Sequence, residues 1–185
     1  MTTHNEGRIS VYHPTLVFWG VRALLFQGLL VAAAVGLPVL AHLSGAPVRI
    51  LLPMHWPVIL AGLVYGWRGG ALTGLLAPSV SFLISGLPLP IILPAMIAEL
   101  FTYGFVTGLF RERFRWNPFV SVAIALVLGR VAFIFAVVFG SATATNYLEY
   151  FKVALLPGLF AGIAQIVLLP FLSSWWARQE QRSSK

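Results

Sequence analysis

Residues 118–139 read PFVSVAIALVLGRVAFIFAVVF, an apolar run interrupted by a single charge, Arg130. Wound as an α-helix at ~1.5 Å per residue, the run reaches roughly 33 Å, enough to cross a bilayer core of about 30 Å. A helix that is apolar on every side is buried in a core or in lipid. At this length the segment reads as a transmembrane span.

Five similar runs flank it, separated by Pro, Gly and Arg. The first covers Leu16 to Leu43 and ends at the turn Ser44-Gly45-Ala46-Pro47. The second, Pro53 to Trp67, is short and closes on Arg68-Gly69-Gly70, and the third runs from Ala71 to Ser85. The fourth, Ile91 to Phe110, stops at Arg111-Glu112-Arg113-Phe114-Arg115. The sixth, Tyr150 to Trp176, follows the polar stretch 140–149. The expected fold is an all-α integral membrane bundle of six transmembrane helices over residues 16–176. A polar N-terminal segment, 1–15, and a polar tail, 177–185, complete it.

Composition agrees. Of 185 residues, 59% are hydrophobic and 9% charged, against roughly 25% charged in soluble domains. The net charge of +7 does not point to nucleic acid, because the basic residues lie in short segments between or after apolar runs. With the N-terminus inside, the cytoplasmic segments hold Arg8, Arg68, Arg111, Arg113, Arg115, Arg178, Arg182 and Lys185, and the outer ones only Arg49 and Lys152. The positive-inside rule therefore places both termini in the cytoplasm, with Trp67, Trp116, Trp175 and Trp176 at the inner boundary. The N-terminal segment lacks the apolar core and cleavage site of a secretory signal, so the first span is expected to be retained.

Several functions are excluded or disfavoured. There is no cysteine and no aspartate, no His-Glu-x-x-His zinc spacing and no Walker-type phosphate loop. No nucleophile and base make a persuasive pair, so no enzyme, cofactor or metal site is expected. The Gly-x-x-x-Gly pairs at Gly62/Gly66, Gly104/Gly108 and Gly158/Gly162 read as helix-packing signals. The short second and third spans, with Pro57, Pro78 and several glycines, admit two readings. They are close-packed small-residue helices, or irregular backbone lining a polar cavity, where alone it is tolerated at membrane depth.

The informative residues are ionisable ones within the spans, which normally face the bundle interior and find a partner. Counting from the helix entries at ~1.5 Å per residue puts Glu99 about 12 Å below the outer surface. Arg130 falls at the same depth on the next, antiparallel helix, so an ion pair is available. It either holds the fourth and fifth helices in register or faces a ligand. Tyr103 shares the face of Glu99; Ser81 lies on the outer half of the third span, and His55 and Trp56 open the second. Asn146 and Tyr147 can cover the group from the last outer loop. A mostly apolar cleft with a few fixed polar groups suits a small molecule. Gln165 is read as a helix-to-helix hydrogen bond, Arg22 as snorkelling and His42 as interfacial.

The order of motifs resembles a known family. Leu52-Pro53-Met54-His55-Trp56-Pro57-Val58 leads to Ala61-Gly62, Tyr65-Gly66, Gly70, Gly74, Pro78, Ser81 and Gly86-Leu87-Pro88. Pro94 to Leu100 with Tyr103-Gly104 and Gly108 follows, then Gly129-Arg130, Pro157-Gly158, Gln165 and Pro170. Together these resemble the substrate-binding S components of energy-coupling factor (ECF) vitamin transporters. The resemblance implies six helices with both ends inside and a vitamin-like substrate in the outer half, near His55, Ser81, Glu99, Tyr103 and Arg130. It also implies an S component in a prokaryotic plasma or inner membrane, working with a transmembrane coupling subunit and its two ATPases. Docking in the family uses an Ala-x-x-x-Ala pair on the first helix. Its nearest match is Gly28 and Ala32, continued by Gly36, and the departure leaves room for a solitary component. The other expectation is a non-transporting structural or assembly subunit of a membrane complex.

Overall fold

The computed structural model describes residues 15–16, 18–140 and 158–183. Among these residues the chain is all-α, without strands. Its helices are α1 (Val21–Leu43), α2 (Val48–Leu51), α3 (His55–Ser85), α4 (Leu93–Glu112), α5 (Pro118–Gly140) and α6 (Gly158–Ser183). Five are long and apolar enough to cross a membrane, and the protein is a multi-pass membrane protein. Its polarity is distributed accordingly. Leu25, Val127, Val131 and Phe171 stand on the outside, while Gln27, Thr73, Glu99, Thr107 and Gln165 are buried.

The expected second and third spans form one element, α3, and the break falls at Gly66 instead of at Arg68-Gly69-Gly70. Gly66 has φ 71° and ψ −167°, a conformation open to glycine but strained for any residue with a Cβ. The chain doubles back there. His55 lies level with Glu99 and Gly62 packs on Gly104 and Gly108, whereas beyond the break Gly70 returns to Gly104 and Gly74 to Leu100. The first arm thus runs parallel to α4 and the second antiparallel to it.

Contact is close because the facing residues are small. A Cβ on Gly62 would lie 2.6 Å from the Gly104 carbonyl oxygen. Backbone of Gly104 fills the space beside Gly70, and backbone of Gly66 and Trp67 the space beside Gly108. The apex is tied to the end of α4, where the Trp67 N–H donates to Glu112 Oε2 at 3.2 Å. Arg68 Nη1 stands 3.9 Å from Glu112 Oε1. Helix α1 packs on the hairpin through Ala23, Gln27, Leu30 and Ala34, and Thr73 Oγ1 donates to Gln27 Oε1 at 3.3 Å.

Other boundaries shift. Helix α1 starts at Val21, five residues later than expected, and the Leu16 N–H donates to the Val64 carbonyl at 2.7 Å. Short α2 lies between the first two spans, where only a connection was expected. Helix α6 continues past Trp176 to Ser183, so helix extends into the stretch expected as tail. The start of the sixth span and the polar stretch after Gly140 lie outside the described residues.

Candidate functional site

The first arm of α3 contains only some eleven residues before Gly66, roughly 17 Å of helix, about half a bilayer core. That is too short to cross a core by itself, and the chain descends through Leu52, Pro53 and Met54 to meet it. That descent is irregular. Leu52 adopts a left-handed conformation, φ 45° and ψ 54°, and the Trp56 indole N–H donates back to the Leu51 carbonyl at 2.9 Å. At membrane depth such backbone is tolerated where it lines a cavity, and Leu52, Pro53 and Met54 do so.

The cavity has a volume of about 580 Å³, within the range of small-molecule sites. The C-terminal end of α1 walls it with Pro38, Val39, His42 and Leu43; the end of α3 with Ser81 and Ser85; the 87–96 stretch with Pro88, Ile92 and Met96. The Gly86 turn, with φ 70°, and the Ser85 hydroxyl, which accepts from the Leu87 N–H at 3.3 Å, set the entry to that stretch. The wall is largely apolar, and its polar side chains are His42, His55, Ser81 and Ser85.

Behind His55 lies the charged group. Arg130 Nη1 and Glu99 Oε1 are 2.7 Å apart, so the depth count that put them level describes a real pair. The Tyr103 hydroxyl donates to the same oxygen at 2.7 Å, and His55 Nε2 stands 3.9 Å from Glu99 Oε2. Glu99, Tyr103 and His55 are buried; the His55 ring tilts against Tyr103 with centroids 5.3 Å apart. Two glycines make room. Gly129 leaves space for the Tyr103 ring, and Gly158 for the Arg130 guanidinium and Leu52. Gly129, Arg130 and Gly158 thus serve one arrangement.

The residues singled out in the sequence fall into two layers. His55 and Ser81 stand on the cavity wall. Glu99, Tyr103 and Arg130 form a cluster behind His55 and do not line the cavity. Trp56 is turned to the Leu51 carbonyl, and Asn146 and Tyr147 lie outside the described residues. Sequence reasoning did not place His42, Ser85, Met54 and Met96 on the wall. The one available signal was spacing, since Pro38, Val39, His42 and Leu43 share a helix face. Among the described residues neither ring nitrogen of His55 has a hydrogen-bond partner. A buried imidazole without one is costly unless something else satisfies it.

Fold and cavity together define a multi-pass membrane protein with a partly open, mostly apolar pocket backed by a neutralised charge cluster. Residues 22–173 match the model of a family described as ECF transporter, substrate-specific component. That match covers most of the sequence, and the chain belongs to this family, which comprises transporter components and not enzymes. No curated protein and no solved structure matches the chain.

Proposed function

We propose that the protein binds a vitamin or vitamin-like cofactor precursor in the cavity beside His55 and delivers it across the membrane as the S component of an ECF-type transporter. The observation that carries this reading is the cavity itself, with a buried imidazole on its wall that has no hydrogen-bond partner among the described residues. In this reading the hairpin arms count as two spans, giving six in all with both termini in the cytoplasm of a prokaryote. Charge bias supports that orientation. His55 and Ser81 contact the ligand directly; Glu99, Arg130 and Tyr103 hold His55 in place, and Trp56 braces the descending segment. Asn146 and Tyr147 are proposed to cover the pocket from the last outer loop. Gly28, Ala32 and Gly36 form the surface for a coupling subunit with two ATPases.

The test is to purify the protein and screen vitamins and their precursors by thermal shift, then titrate hits by calorimetry. A hit is expected to bind tightly, and His55→Ala to weaken it by about 5- to 150-fold, the equivalent of losing one hydrogen bond to a buried group. Glu99→Gln should weaken it less, through loss of positioning. Unchanged affinity in both variants overturns the site assignment.

A further inference from the structure

The connection between α4 and α5 is short, internally hydrogen-bonded and strongly basic. The Trp116 N–H donates to the Phe110 carbonyl at 3.0 Å, and Arg111 Nη1 donates to the Trp116 carbonyl at 2.8 Å. Asn117 Oδ1 then accepts from the Phe119 N–H at 2.9 Å, closing the first turn of α5. Arg115 sits at φ 55°, uncommon for a residue with a side chain. Phe110, Phe114 and Trp116 form one aromatic cluster, with centroids 4.6 to 6.3 Å apart.

Between these fixed points Arg113 and Arg115 are exposed, and among the described residues neither has an ion-pair partner. Phe114 and Trp116 stay 54% and 43% exposed despite packing on Phe110. Exposed aromatics beside arginines at a helix end mark the headgroup level of a bilayer. Directly beyond them, Val120, Val127 and Val131 of α5 are exposed on one helix face. At ~1.5 Å per residue they cover about 16 Å, close to half of a core of about 30 Å. That is the reach of an acyl chain in one leaflet.

We infer that this corner is a binding site for an anionic phospholipid. Its phosphate lies between the guanidiniums of Arg113 and Arg115, and an acyl chain lies along Val120, Val127 and Val131. Arginine suits a phosphodiester because its planar fork donates two parallel hydrogen bonds. The hydrogen bonds of the loop fix the backbone that carries both arginines, so little backbone ordering is lost on binding. The apolar strip beside the arginines favours a lipid over an acidic segment of a protein, which would leave those valines uncovered.

Native mass spectrometry of the full-length protein, stripped in detergent and given equimolar dioleoyl phosphatidylglycerol and dioleoyl phosphatidylcholine, tests this. Phosphatidylglycerol should be retained at least about fivefold over phosphatidylcholine and should raise the thermal midpoint. Replacing both arginines (Arg113→Gln, Arg115→Gln) should abolish the preference, whereas Arg178→Gln keeps it. Dihexanoyl phosphatidylglycerol and inorganic phosphate should stabilise far less, because neither covers the valine strip. Equal retention of the two lipids overturns the inference, as does a preference that survives the double replacement. Equal stabilisation by inorganic phosphate would show a plain anion site instead, and capture of an acidic peptide at the expense of lipid a protein site.

Discussion

At the scale of single residues, the balance of charge around Glu99 governs what can be changed. Glu99 is 2% exposed and its carboxylate is met by Arg130, Tyr103 and, at longer range, His55. Replacing one member of a buried pair leaves the other charge stranded, at a cost of about 3–5 kcal/mol, whereas replacing both by neutral groups costs much less. Arg130 is 24% exposed, so water can offset part of that loss. Arg130→Met should therefore lower stability by roughly 2–4 kcal/mol, and adding Glu99→Gln to it should restore much of the loss. Thermal unfolding of the two single variants and the double in detergent checks this. Additive losses would mean that the two charges do not depend on each other. Gln165 offers a contrast. It is fully buried, and among the described residues neither amide atom has the interhelical hydrogen-bond partner expected from sequence. Gln165→Leu keeps the volume and removes an unsatisfied amide, so it should stabilise the protein by about 1–3 kcal/mol. A lower thermal midpoint would point to a buried water satisfying the amide. The level of Glu99 and Arg130 was legible in the sequence because helical rise is a constant. Which side of His55 they occupy was not, since that depends on where the chain from Leu52 to Met54 descends.

At the scale of elements, glycine position decides the hairpin. Gly62, Gly66, Gly70 and Gly74 were visible as small residues at helical spacing, and their packing role follows from that. The point of reversal was not visible, because Gly66, Gly69 and Gly70 are equivalent candidates in the sequence. Glu112, on another helix, receives the Trp67 N–H and makes Gly66 the apex. Short α2 was hidden for a related reason: four residues show no periodicity. Two kinds of glycine substitution should behave differently. Gly70→Ala or Gly104→Ala forces a methyl into facing backbone, where nothing flexible can yield, and should remove the folded, monodisperse species in size-exclusion chromatography. Gly28→Ala and Gly36→Ala meet nothing within 4 Å. They should shift stability by no more than about 0.5 kcal/mol or raise it slightly through helix propensity. Equal tolerance at all four positions would contradict the packing described for α3 and α4.

At the scale of the whole molecule, α1 is the least buried of the five long helices. It meets the bundle along Ala23, Gln27, Leu30 and Ala34, a single seam at helical spacing. At ~100° per residue, Gly28, Ala32 and Gly36 lie on the opposite side. Gly28 and Ala32 are exposed and Gly36 partly so, which leaves a shallow track on which another helix can approach closely, as small residues allow in membranes. The C-terminal end of the same helix carries Pro38, Val39 and His42 into the cavity wall. One rigid helix thus connects the proposed docking track to the proposed binding pocket. If the track receives the coupling subunit, Gly28→Trp and Ala32→Trp should abolish its co-purification. Ligand affinity and the thermal midpoint of the isolated protein should stay unchanged, because the bulky ring projects away from the bundle. His55→Ala should do the opposite, retaining the partner and weakening ligand binding. Co-expression with the coupling subunit and its ATPases, followed by affinity capture and calorimetry on the same preparations, measures both properties. Retention of the partner by both tryptophan variants would move the docking surface off α1 altogether.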